Sequence, residues 1–246
     1  MMSKVGPDTC NSALLALGQV LRLAEMDRAV NRNEAKFVGP LPRAQPQEIH
    51  PVRFDGISKL ADAIDPRFRA AVLFAGSTGL RAGEQWALRV PSVNFLGRSV
   101  RVRESASDRG SFSVGPVKTD QSRRTVRLDE TTVEVLAAHL RDHPSGDFLF
   151  TSTEGGPVRH RNFVRRAWSA AVREVGDELP KGFTWKDLRH SHASILIDRG
   201  ARPDQVRERL GHSSIRVTMD VYSHLFDHHD DELVSDLGSL LREALG

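Results

Sequence analysis

Pro40, Pro42, Pro46 and Pro51 fall in one short stretch of this 246-residue chain and set its organisation. Each proline fixes φ and removes a backbone donor, so neither a helix nor a central strand runs through the stretch. An extended connector is the expected result. It separates an N-terminal part, 1–36, and a linker, 37–50, from a region, 51–246, long enough to close one large core. Residues 11–31 show helical periodicity, with Leu14, Leu17, Leu21 and Leu23 on or near one face. One helix of that length has too little apolar area to make a domain alone.

Beyond the connector the pattern is helical, interrupted once by strand. Asp55 is placed to cap a helix ending at Ile64, and Asp65-Pro66 supplies the cap and first position of the next. That helix, through Phe68, Val72 and Phe74, breaks at Ser77-Thr78-Gly79, and Arg81 follows at the entry to a short helix. Over 99–129, Val100 and Val102 alternate with arginines, TVRL repeats the alternation, and Gly110 and Gly115 mark turns. This predicts a small antiparallel sheet. Further helices are expected after Asp129, over about 161–175, and from Thr184, whose Asp187 three residues on makes a capping-box pattern. Asp204 is placed to cap a shorter helix that Gly211 ends, and Ser213 or Ser214 to cap one leading to Tyr222. Leu233, Leu237, Leu240 and Leu241 form the stripe of a last helix over 230–245. The predicted fold is mainly α with one small antiparallel sheet.

Composition excludes several functions. The lone cysteine, Cys10, rules out an internal disulfide and a cysteine-built metal site. The N terminus has no apolar core of a signal peptide, and the apolar run at 70–76 is too short to span a bilayer, so a cytoplasmic setting without membrane association is expected. Aromatic content of 6% argues against stacking on single-stranded bases. His224, His228, His229, Asp230 and Asp231 match no compact metal site, so neither metal nor other cofactor is expected. A net charge of +3 permits a polyanionic partner. Its distribution says more: Arg98, Arg101, Arg103, Arg109, Lys118, Arg123, Arg124 and Arg127 crowd one segment, while the residues after Tyr222 are acidic.

The residue types at Arg81, Lys118, Lys186, Arg189, His212 and Tyr222 suit attack on a phosphodiester. Such a reaction needs charge neutralisation, a positioned nucleophile and a proton for the leaving oxygen. Two guanidinium groups, Arg81 and Arg189, match the non-bridging oxygens because they are planar, always charged and bidentate. Lys186, one helical turn before Arg189, can reach the same anion, and His212 can add a hydrogen bond or take part in proton transfer. Tyr222, the only tyrosine, is the candidate nucleophile, since a cationic pocket favours its phenolate. Plainer readings stand beside these. Arg81 can simply pair with Glu84, Lys118 can be a solubilising hairpin residue, His192 reads as a hydrogen-bonded core histidine, and Tyr222 can be core with a satisfied hydroxyl. SILIDRGARPDQVRERLGH also scans as a helix-turn-helix of a non-catalytic DNA-binding protein.

Taken together, the segments resemble the tyrosine recombinases, or phage integrases. Thr78-Gly79-Leu80-Arg81-Ala82-Gly83-Glu84 matches that family's TGLR-x-GE segment, and Lys118, Thr119, Ser122 and Arg124 match its KT-x-x-S-x-R hairpin. Its H-x-x-R box, followed by His, is occupied by Lys186, Arg189 and His190, with lysine standing in place of the first histidine. Leu210-Gly211-His212 and Tyr222 match its last box, and the four occur in order across roughly 51–226. The resemblance implies a recombinase catalytic domain over 51–246 and a covalent 3′-phosphotyrosine intermediate. It implies DNA contacts from Arg123, Arg124 and His190, double-stranded DNA as partner, and a homotetramer on paired sites, joined by accessory DNA-bending or directionality proteins. It also implies that 1–36 is a remnant of a helical core-binding domain in a truncated chain. A type IB topoisomerase shares the same nucleophile and cationic pocket and is the nearest alternative.

Overall fold

The computed structural model describes residues 6–42, 51–108, 110–117, 119–226 and 242–243. Lys118, Arg109 and the helix expected over 230–245, apart from Arg242 and Glu243, lie outside the described residues, as do His228, His229, Asp230 and Asp231. The chain divides between Glu48 and Ile49 into two compact units.

The first unit is built on α1 (Pro7–Met26), which starts four residues before the predicted periodicity because Pro7 occupies its first turn. Asn33 ties the following chain to it, its Nδ2 donating to the Gly18 carbonyl at 2.9 Å and its Oδ1 accepting from Ala35 N at 3.1 Å. No residue of α1 is buried, and Leu15, Leu17, Val20, Leu23 and Met26 are all exposed.

In the second unit α2 (Phe54–Ala63) and α3 (Pro66–Thr78) pack as neighbours, followed by the single turn α4 (Ala82–Trp86). Asp65 caps α3 as predicted, accepting from Arg67 N at 2.9 Å with Pro66 in the first position. Asp55 does not cap α2. The helix begins two residues earlier, at Phe54 behind Arg53, and the carboxylate sits in the first turn, where it still complements the helix dipole.

The strands β1 (Val93–Asn94), β2 (Ser99–Val102) and β5 (Arg124–Arg127) form an antiparallel sheet in the order β1-β2-β5. β3 (Glu104–Ser107) and β4 (Ser113–Pro116) make a separate hairpin. Val100 lies opposite Val126, and Val102 opposite Arg124. Since Val100 and Val102 are fully buried, Arg124 shares the inward register with Val126.

α5 (Glu130–Asp142) is capped by Asp129, which accepts from Thr132 N at 2.9 Å. The predicted helix over 161–175 is present but not uniform. α6 (His160–Phe163) and α7 (Ser169–Val175) are joined by a π-helical turn, Val164–Trp168. The extra residue turns Trp168 into an aromatic centre, with ring centroids 5.2 Å from Trp185 and 6.2 Å from Phe183. Trp86 and Phe163 complete that centre, and no local sequence signal marks the inserted residue.

The last three helices are α8 (Trp185–Asp198), α9 (Pro203–Leu210) and α10 (Ile215–Phe226). Asp187 accepts from both the Thr184 amide, at 2.7 Å, and its hydroxyl, at 2.6 Å, so the α8 start holds as predicted. Asp204 is not the α9 cap. Arg202 occupies that position, its amide donating to Gln205 Oε1 at 2.9 Å, and Asp204 pairs with the Arg202 guanidinium at 2.9 Å. Ala193, Ile197, Val206, Leu210 and Tyr222 form a small apolar cluster among these helices, beside the main core. Among the described residues no helix is long and apolar enough to cross a membrane.

Candidate active site

Two glycine turns carry the site. α3 ends at Gly79, whose φ of 64° is left-handed and whose N–H bonds the Ala75 carbonyl. α9 ends the same way at Gly211, φ 68°. Neither position has room for a side chain: a Cβ on Gly79 would lie 2.6 Å from His192 Cδ2, and one on Gly211 2.8 Å from Arg124 Nη1. The chain therefore leaves each helix abruptly and delivers Arg81 from one turn and His212 from the other.

Arg189, buried on α8, bridges the two turns. Its Nη1 donates to the Gly79 carbonyl at 2.8 Å and its Nη2 to the Leu210 carbonyl at 2.9 Å. Arg81 Nη2 reaches the next carbonyl, Gly211, at 3.3 Å. Both predicted arginines thus converge on the same short piece of backbone. Burial, then the like charge of Arg81, pushes the Arg189 guanidinium down to about 9, which leaves it charged at neutral pH. A cation held this way has much to gain from an incoming anion.

Arg81 also makes its plainer contact. Its amide donates to Glu84 Oε2 at 3.0 Å and its Nη1 to Oε1 at 2.8 Å, so the i, i+3 pair and the convergent cluster coexist. Glu84, only 3% exposed, is the buried countercharge of the site. Burial pushes its carboxyl up, but the hydrogen bond and charge of Arg124, with Arg81, pull it below the ordinary carboxylate value. Arg124, which the resemblance assigns to DNA, is held here by protein groups. Its Nη2 donates to Glu84 Oε2 at 3.0 Å, its Nη1 to Oε1 at 3.2 Å and its Nε to the Arg209 carbonyl at 2.8 Å. With its side chain 7% exposed, it positions Glu84 and the Gly211 turn instead. The alternation of β5 carried that signal, because Arg124 stands two residues before the buried Val126. Arg123, one residue earlier, is exposed.

His212 is buried, with Nδ1 2.9 Å from the Thr218 hydroxyl of α10. Burial and then Arg189 push it down to about 4, so it is neutral at pH 7. Tyr222, on the same helix, is 1% exposed, and its hydroxyl lies 2.8 Å from His190 Nδ1. Burial raises the phenol to about 12 against the opposing pull of Arg189. His190 was expected to face DNA; here its ring is turned to the tyrosine. Lys186 is exposed on the first turn of α8, and Lys118 lies outside the described residues between β4 and β5.

Sequence reasoning missed one supporting residue. Arg209 Nε donates to His192 Nε2 at 2.8 Å, its Nη2 to the Ser77 carbonyl at 2.9 Å and its Nη1 to the Arg127 carbonyl at 3.2 Å. His192 Nδ1 in turn pairs with the Gly76 carbonyl at 2.8 Å, as a core histidine. This strut fixes the end of α3, the end of β5 and α9 relative to one another, and nothing local in the sequence announces it.

This arrangement, a mainly helical body with a small antiparallel sheet and a cationic cluster beside a tyrosine, has the fold of integrase catalytic domains. The Tn1549 transposon integrase, solved in complex with transposon right end DNA, superposes with a TM-score of 0.80 at 19% identity, over 94% of this chain and 81% of that one. A lambda integrase dimer bound to a COC′ core site gives 0.61 at 18% identity, over 85% and 73%. The phage integrase family pattern matches residues 52–229, and the chain belongs to that family. It is 27% identical to the ICEBs1 integrase of Bacillus subtilis over 94% of this chain and 65% of that protein. It is 32% identical to the tyrosine recombinase XerC of Actinobacillus succinogenes over 71% of this chain and 57% of that protein. The chain thus spans between half and two thirds of the length of these relatives.

Proposed function

We propose that this chain cleaves and rejoins double-stranded DNA at specific sites through a 3′-phosphotyrosine on Tyr222. The observation that carries the reading is the convergence of Arg81 and Arg189 on the carbonyls of Gly79, Leu210 and Gly211, beside His212 and the helix that bears Tyr222. A phosphodiester seated there replaces backbone dipoles with a full negative charge, which two guanidinium groups hold more strongly. The Tyr222 oxygen bonds to phosphorus, the P–O5′ bond breaks, and Lys118 supplies the proton that the leaving oxygen takes. The covalent bond conserves the energy for rejoining, which runs the same steps backwards. Lys186, exposed at the rim, is a further donor to the phosphate. Arg123, exposed beside β5, contacts the DNA backbone.

The same reading makes the N-terminal unit part of a helical clamp around DNA, since a helix with no buried residue needs a partner surface. It places the active assembly on paired sites as a homotetramer and its work in the cytoplasm. The test uses a library of nicked duplexes with randomised sequence around the nick. The full chain should form an SDS-resistant adduct, and Tyr222→Phe should abolish it. An adduct that survives the substitution removes Tyr222 as nucleophile. Relaxation of supercoiled plasmid without exchange between sites would instead favour a topoisomerase of the same chemistry.

A further inference from the structure

The proposed chemistry leaves one proton without a destination, the one on the Tyr222 hydroxyl. The H-x-x-R box offers Lys186 where a histidine is expected, and Lys186 is exposed. A lysine ammonium has three N–H donors and no acceptor, so in that form it offers the phenol nowhere to pass a proton. The Nδ1 of His212 is taken up by the Thr218 hydroxyl, 2.9 Å away. The ring nitrogen within reach of the phenol is His190 Nδ1, at 2.8 Å, inside the range a proton acceptor requires. His190 is buried on α8, and its ring centroid lies 5.7 Å from that of Tyr222.

We infer, on the basis of the function proposed above, that His190 Nδ1 accepts the Tyr222 proton during attack and returns it during rejoining. The step balances: the Tyr222 Oη–P bond forms, the Oη–H bond breaks with its proton passing to His190, and P–O5′ breaks with a proton from Lys118. Rejoining reverses each transfer. His190 faces Lys186, Asp187 and Arg189 of its own helix, Tyr222 of α10 and His212 of the α9–α10 turn. Burial and then Lys186 hold the imidazole down to about 4, so at neutral pH one ring nitrogen carries a free lone pair, and in the tautomer protonated at Nε2 that nitrogen is Nδ1, facing the phenol. The phenol, raised to about 12, keeps its proton in the DNA-free chain. The transfer becomes favourable only as the oxygen bonds to phosphorus and loses its basicity, while the phosphate's charge stabilises the imidazolium. The nucleophile is silent until a phosphodiester arrives.

Tyr222 is the only tyrosine, so a chain labelled with 13C at tyrosine Cζ gives one resonance, and no target site is needed to read it. That resonance should show an acid inflection from His190 in the native chain that His190→Gln removes. With the nicked-duplex library, His190→Gln and His190→Ala should slow adduct formation by ~10²–10⁴-fold and rejoining by the same factor, and imidazole should rescue His190→Ala. Circular dichroism confirms that each variant folds. Native or faster cleavage by a folded His190→Gln, with the adduct still on Tyr222, overturns the inference and leaves the function standing; a faster rate would make His190 a latch. No adduct from the unaltered chain overturns the function and takes this step with it.

Discussion

Replacing Glu84 by Gln tests whether the site is built around a single buried countercharge. The carboxylate is 3% exposed and receives Arg124 at 3.0 and 3.2 Å and Arg81 at 2.8 Å, while the Arg124 side chain is 7% exposed. Glutamine keeps the shape but turns an amide N–H₂ towards guanidinium donors and leaves Arg124 charged without a counter-ion. Removing one partner of a buried pair costs ~3–5 kcal/mol. Arg124 retains the Arg209 and Ser122 carbonyls as acceptors, which places the loss near ~3 kcal/mol at the lower end of that range. For a chain of this size that lowers the melting temperature by ~6–12 °C. Urea unfolding followed by circular dichroism measures the change. Adding Arg124→Met to Glu84→Gln should recover part of the loss, because the stranded charge is gone. A cost for Glu84→Gln under ~1 kcal/mol, or single-variant costs that simply add, would refute the countercharge argument.

Gly79→Ala should destabilise the fold by more than ~2 kcal/mol, since it combines a left-handed backbone with a collision at His192 and Leu210; an unchanged urea midpoint would mean that the turn relaxes freely. His190, His192 and His212 are held by burial at about 4, 3 and 4 against an ordinary 6.5. The unfolded chain therefore takes up more protons. Stability is full above pH 6.5 and falls as pH drops from there towards 4, by at most ~1.4 kcal/mol per unit for each histidine. A urea midpoint equal at pH 7 and pH 5 would contradict their burial. Tyr222, at 1% exposure, should resist tetranitromethane in the folded chain and react in urea, and equal rates would show that the phenol is open to solvent.

Sequence alone determined the features whose causes act within about one helical turn. Asp65, Asp129 and the Thr184–Asp187 pair fix helix starts because a cap needs only the next two or three amides. Gly79 and Gly211 fix helix ends because left-handed backbone excludes most side chains. The periodicity of two in β2 and β5 was legible for the same reason, and each motif segment was legible as a short local string. Local signals failed where two choices were nearly equal: Asp55 and Asp204 are good caps, yet each helix starts earlier, and the carboxylates settle in its first turn.

Tertiary structure decided everything that depends on which distant group lies opposite. Arg124, part of the hairpin motif, becomes a buried partner of Glu84, forty residues away in sequence. His190, which sits beside Arg189 in its motif segment, meets the Tyr222 hydroxyl of another helix. Arg209 holds three elements through carbonyls that no pattern in the chain advertises. Burying a charge or a phenol is costly unless the pairing group is already in place, so these roles exist only once the whole chain has folded. Residue type and spacing carried the chemistry. Which ring nitrogen lies against the Tyr222 hydroxyl was settled by packing.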